Sequence, residues 1–171
     1  MNVYTTLLLL ALVALLQATV APLAGLGAAQ PELALLVVVI WALVRGPRQA
    51  LVWALVLGLM LDQLSARPIG MYSLPLMAVA LLAGTGRSVA FGTHLVLPVV
   101  MTVLATLLYG LLQLAMLGLV RGGTVLWGVS DLVGVLLPIL ALNLLWLPVL
   151  YFPLRALARR DAGPRMDWGR P

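Results

Sequence analysis

Cysteine and lysine are both absent from this chain of 171 residues, which has one histidine and five acids. Without cysteine there is no disulfide, no thiolate metal site and no thiol nucleophile. One histidine, His94, with no acids clustered around it in sequence makes a poor metal site. Charge of either sign is scarce, at 9% of residues, while 64% are hydrophobic. Soluble domains are about a quarter charged and about half apolar. With a mean hydropathy of +1.16, this chain has too little polar surface to cover itself in water. We therefore expect an all-α integral membrane protein.

The net charge of +5 is carried by arginine alone. In a soluble protein it would suggest nucleic acid, but here the arginines fall in loops and toward the C-terminus, where they report membrane topology. No nucleic-acid partner is expected. The N-terminal apolar run lacks a basic leader and is long for a signal peptide, so it reads as a retained first span.

Polar or Gly/Pro breaks mark six apolar segments: Val3–Leu23, Pro31–Val44, Gln49–Leu64, Met71–Ala90, His94–Val120 and Leu132–Leu157. A helix needs about 20 residues to cross roughly 30 Å of hydrocarbon. The second and third segments are short for that. They either tilt into a thin region or form a hairpin buried against the other helices. Six spans put both termini on one side, together with Arg45, Arg48, Arg87, Arg155, Arg159, Arg160, Arg165 and Arg170. The other side receives only Arg67 and Arg121. That bias places both termini in the cytoplasm. Residues 1–157 form one six-helix membrane domain, and 158–171 a short Arg-rich cytoplasmic tail with affinity for anionic membrane lipid.

Ionisable residues within spans are costly, so each is a functional candidate. Glu32 follows Pro31 at the start of the second helix, where an acid suits the helix dipole. Asp62 closes the third helix in GLMLD, one turn after Gly58, and is followed by Ser65, Arg67, Pro68 and Gly70. It can pair with Arg67, cap the loop behind it, or contact another subunit. Asn143, between Pro138 and Pro148, is expected to hydrogen-bond a neighbouring helix, as are Gln17 and Gln113. Asp131 reads as the cap of the sixth helix. Catalysis is excluded on placement, because His94 falls inside while Ser65, Asp62 and Asp131 fall outside. No catalytic residue, metal or cofactor is expected.

The run PELALLVVVIWALVRGPRQALVWALVLGLMLDQLSARPIG resembles the signature region of the rod shape-determining protein MreD family. The matching positions are Pro31 and Glu32, Trp41, Arg45 and Gly46, then Gly58, Leu59, Asp62, Pro68 and Gly70. The last span resembles the family's closing helix through Pro138, Asn143 and Arg155, whereas Thr85 to Thr124 matches in hydrophobicity alone. The resemblance implies a non-enzymatic, multi-pass subunit of the bacterial inner membrane that works in cell-wall elongation. Its implied partners are an MreC-like single-span scaffold and, indirectly, MreB filaments, the RodA glycosyltransferase and a penicillin-binding transpeptidase. Asp62, Arg67, Pro68, Gly70, Gly58, Glu32 and Asn143 become candidates for partner binding or for shaping the surface that binds. The family's fold is similar to the substrate-binding subunits of energy-coupling-factor vitamin transporters, and such a subunit is the alternative function. That reading needs a polar, aromatic-lined outward pocket, for which the sequence offers little beyond Tyr72, Asp62, Gln63 and Trp127. An ion channel would need paired charges within the spans, which are missing.

Overall fold

The structure, a computed structural model, describes residues 3–25, 29–65, 68–86, 96–121 and 129–161. Among these residues the chain forms six α-helices: α1 (Val3–Thr19), α2 (Leu33–Arg45), α3 (Pro47–Leu64), α4 (Ser73–Thr85), α5 (Val96–Arg121) and α6 (Val129–Asp161). Two of them, over Val96–Val120 and Gly134–Ala158, are long and apolar enough to cross a membrane, while α1, α2 and α4 are shorter apolar helices.

The centre of the molecule is α2, which packs against all five other helices. Its residues from Leu33 to Leu43 are buried without a break. A helix that is apolar all round finds no polar face to show water, and it belongs inside a bundle. Enclosure also explains its 13 residues, because a helix ringed by protein need not match the lipid. Gly46, at φ 98°, ends α2 in a conformation that favours glycine, and Pro47 occupies the first turn of α3, where its missing N–H costs nothing. Of the two short segments, α2 lies buried against the other helices, while α3, folded back on it as a hairpin, keeps an exposed apolar face with Val52 60% exposed. Trp41 of α2 stacks on Trp53 of α3 at 3.7 Å between ring centroids and 13° between planes, which locks the hairpin.

Contacts at the helix ends show that consecutive helices run antiparallel. At one end, the Arg45 Nη2 donates to the Ala158 carbonyl at 2.9 Å, joining the ends of α2 and α6. There too, Gly84 near the end of α4 leaves room for Pro47, and Gly86 lies against Met101 of α5. At the opposite end, Gln17 of α1 reaches the residues before α2, and Asp62 of α3 reaches the start of α4. We call these the arginine end and the aspartate end.

Several boundaries move from their expected places. The fourth helix stops at Thr85 instead of Ala90, and α6 begins at Val129 and continues past Leu157 to Asp161. Pro138, Pro148 and Pro153 all lie inside α6 without ending it. In apolar surroundings an interrupted helix would leave backbone groups unpaired, so continuity is favoured despite the lost N–H groups. Asp131 thus lies in the first turn of α6 and is not its cap. Arg67, Arg87, His94, Trp127, Arg165 and Arg170 lie outside the described residues.

The outer faces are as apolar as the core. Leu8 is 73% exposed, Leu145 68% and Leu119 75%. Faces of this kind suit lipid or partner helices, not water.

Candidate functional site

The most organised polar feature at the aspartate end is built around Asp62. This residue is only 2% exposed. Its Oδ2 accepts from the Gly70 N–H at 2.9 Å and the Ser73 hydroxyl at 3.0 Å, and its Oδ1 accepts from the Tyr72 N–H at 2.7 Å. All three donors lie in the turn that opens α4. The carboxylate thus caps α4 from the end of a different helix, where the N-terminal dipole and unpaired N–H groups favour negative charge. The expected Arg67 pairing lies outside the described residues, and the carboxylate's described partners are these three donors.

Two glycines make the clasp possible. Gly70 sits at φ 105°, a conformation costly for a residue with a Cβ, and this turns its N–H toward Asp62. Gly58 lies one turn before Asp62, and a Cβ there would run into the backbone of Ser73. Glycine at this position lets α3 and α4 approach until Asp62 reaches the α4 turn. Just before Gly70, Pro68 is exposed and Ile69 is 72% exposed.

A second network surrounds the start of α2. Asn143, fully buried, accepts from the Glu32 N–H at 2.8 Å and donates from Nδ2 to the Thr106 hydroxyl at 3.0 Å. Gln17 accepts from the Ala34 N–H at 3.2 Å, and its Nε2 lies 3.2 Å from the Pro31 carbonyl and 3.3 Å from Glu32 Oε2. Helices α1, α2, α5 and α6 meet through these bonds. Glu32, expected at the start of α2 where an acid suits the dipole, stands at the N-cap position and makes no side-chain cap bond. The amides of Asn143 and Gln17 accept from the Glu32 and Ala34 N–H groups at this helix start. Amides suit this task in an apolar interior, because they accept without burying a charge.

A third link joins α5 to the residues just before α4. Gln113 Nε2 donates to the Met71 carbonyl at 3.0 Å and lies 3.1 Å from the Tyr109 hydroxyl. The structure therefore divides the expected candidates into two groups. Gly58, Asp62 and Gly70 come together in the clasp with Pro68 on its outer side, while Glu32 and Asn143 meet at the start of α2. Ser73 and Thr106 were missed from sequence. The signal for Thr106 was its four-residue spacing from Thr102; both are buried. Among the described residues, no three His, Cys, Asp or Glu side chains gather as a metal site would need.

The Gly58–Gly70 stretch and the α2 start coincide with the sequence positions that resemble one family, and a wider comparison agrees. The family model described as rod shape-determining protein MreD matches residues 1–160. No curated protein and no solved structure matches the chain. With nearly its whole length matched, the chain belongs to the MreD family, a family of membrane proteins that determine rod shape.

Proposed function

With MreD-family membership as the premise, we propose that this chain is a non-enzymatic membrane subunit of the bacterial cell-wall elongation complex. It binds an MreC-like single-span scaffold and so helps organise peptidoglycan synthesis around MreB, RodA and a penicillin-binding transpeptidase. It crosses the cytoplasmic membrane several times, with both termini in the cytoplasm, and its aspartate end faces outward. The family match over residues 1–160 carries this reading. The arginine bias supports the orientation, since Arg45, Arg48 and Arg155 all belong to the arginine end.

The clasp gives the outer surface a mechanism. Buried as it is, Asp62 has no oxygen to offer a partner. It acts by fixing the turn, so that Pro68 and Ile69 are presented in one shape. A contact surface held rigid before binding loses less entropy on association than a loop that must be ordered. The direct contact residues on this loop are therefore Pro68 and Ile69, with Asp62, Gly58 and Gly70 as their supports.

Affinity purification in mild detergent tests the proposal. The full chain should recover a single-span coiled-coil scaffold, and Ile69→Asp should reduce that recovery without reducing the amount of chain in the membrane. Recovery of paired ATPases and a bound vitamin, with no scaffold, would establish the transporter alternative instead.

A further inference from the structure

The lipid-facing surface is not equally tall around the molecule. On α3 a single stripe faces outward at helical spacing: Arg48, Val52, Leu55, Leu59 and Gln63, all exposed. Its apolar part is bordered by the Arg48 guanidinium at one edge and the Gln63 amide at the other, with Leu64 exposed to one side of the stripe at that edge. Arg48 and Gln63 are fifteen residues apart, or about 22 Å along a helix. Beside it, α4 has 13 residues, about 20 Å, with Leu74 and Leu81 exposed. The α5 surface differs. From Val96 to Val120 it exposes Val100, Leu104, Leu107, Leu111 and Leu119, and no charged residue interrupts a length of about 36 Å. Moreover, Gln113 is level with Met71 at the start of α4, so the last two turns of α5 rise above that level.

A bilayer's hydrocarbon core is about 30 Å thick. One surface of this protein falls short of that and another exceeds it. Tilting the whole molecule cannot satisfy both, because α3, α4 and α5 are tied into one bundle through α2. Arginine can snorkel a few Å toward phosphate, which suits Arg48 at the cationic end, but Gln63 at the other edge has no such reach.

We propose that the α3–α4 side carries an apolar belt narrower than the bilayer and thins the lipid beside it, while the α5 side does not. The occupant of this belt is phospholipid acyl chain, compressed between the levels of Arg48 and Gln63. The proposal rests on the reading that the chain spans the membrane. A locally thinned annulus would give the protein a preference for short-chain lipid and an orientation relative to thickness gradients, independent of any protein partner.

The absence of cysteine makes the test clean. The purified full chain is placed in phosphatidylcholine vesicles of monounsaturated chains from 14 to 22 carbons, and thermal unfolding is followed by tryptophan fluorescence. The expected stability maximum lies below 18 carbons, and it moves to longer chains in the Gln63→Leu variant, whose belt is wider. In 18-carbon vesicles, a nitroxide on Leu59→Cys should sit shallower than one on Leu111→Cys, by the ratio of oxygen to nickel-chelate accessibility. A maximum at 18 carbons or more that Gln63→Leu leaves in place overturns the proposal, as does equal depth at the two positions. Failure of the chain to float with the vesicles would instead refute the membrane-spanning reading beneath it.

Discussion

Replacing Asp62 by alanine removes one carboxylate and strands three donors: the N–H groups of Gly70 and Tyr72 and the hydroxyl of Ser73. Hydrogen bonds to a charged acceptor contribute about 1.5–3 kcal/mol each, and buried donors left without a partner cost about 1–3 kcal/mol. The three share one carboxylate, so the losses do not add fully. Ser73 can also rotate its hydroxyl toward another acceptor. A total of about 3–5 kcal/mol follows, in line with loss of one partner from a buried charged network. For a chain of this size that corresponds to roughly 10 °C in melting temperature. The damage should be local first: α4 loses its cap, and the Gly70–Tyr72 turn loosens. Asp62→Asn is the informative control. It keeps one acceptor oxygen but turns an amide NH2 toward a backbone N–H, so it should fall between wild type and alanine. The assay is thermal unfolding in detergent, combined with hydrogen exchange at the start of α4. If Asp62→Ala melts within 2 °C of wild type and exchange at Gly70 and Tyr72 is unchanged, the clasp is not what holds this turn.

The glycines separate two kinds of strain. Gly58→Ala should cost about 1–3 kcal/mol, because its Cβ meets Ser73 backbone that cannot move aside, and should weaken scaffold recovery together with stability. Gly70→Ala would put its Cβ in ordinary contact with the Leu74 side chain but at a φ of 105°, so its cost of about 1–2 kcal/mol comes from the backbone. Its effect should show in loop exchange more than in global melting. Asn143→Leu strands the Glu32 N–H and removes the bond to Thr106; we expect a loss of about 1–2 kcal/mol. A double-mutant cycle with Thr106→Val should assign only about 0.6 kcal/mol to the amide–hydroxyl bond, because side-chain bonds between membrane helices are weak. A coupling above 2 kcal/mol would show that the network acts as one unit. Arg45→Met removes both the bond to Ala158 and the guanidinium 5.8 Å from the Trp41 ring. It should loosen the end of α6 by about 1 kcal/mol, read as faster exchange near Ala158.

Much about this protein follows from the sequence alone. Scarce charge and long apolar runs leave only a helical membrane protein, since every backbone group in lipid must be paired within the chain. The order Gly58–Asp62–Pro68–Gly70 marked the turn between α3 and α4, and the isolated amides Gln17, Gln113 and Asn143 marked where helices would be pinned. These are local or compositional facts, and each can be read one segment at a time. What required the tertiary structure was which group satisfies which. From sequence, the nearest counter-charge for Asp62 was Arg67, five residues on; the structure adds three donors from the turn that opens α4, which reach Asp62 because Gly58 lets α3 and α4 touch. Glu32 had the right position to cap its own helix, yet amides from α1 and α6 perform the task, one of them 111 residues away. No periodicity could reveal that α2, the shortest kind of span, is the one helix ringed by all the others. Burial depends on neighbours, and neighbours separated by a hundred residues are chosen only when the whole bundle closes.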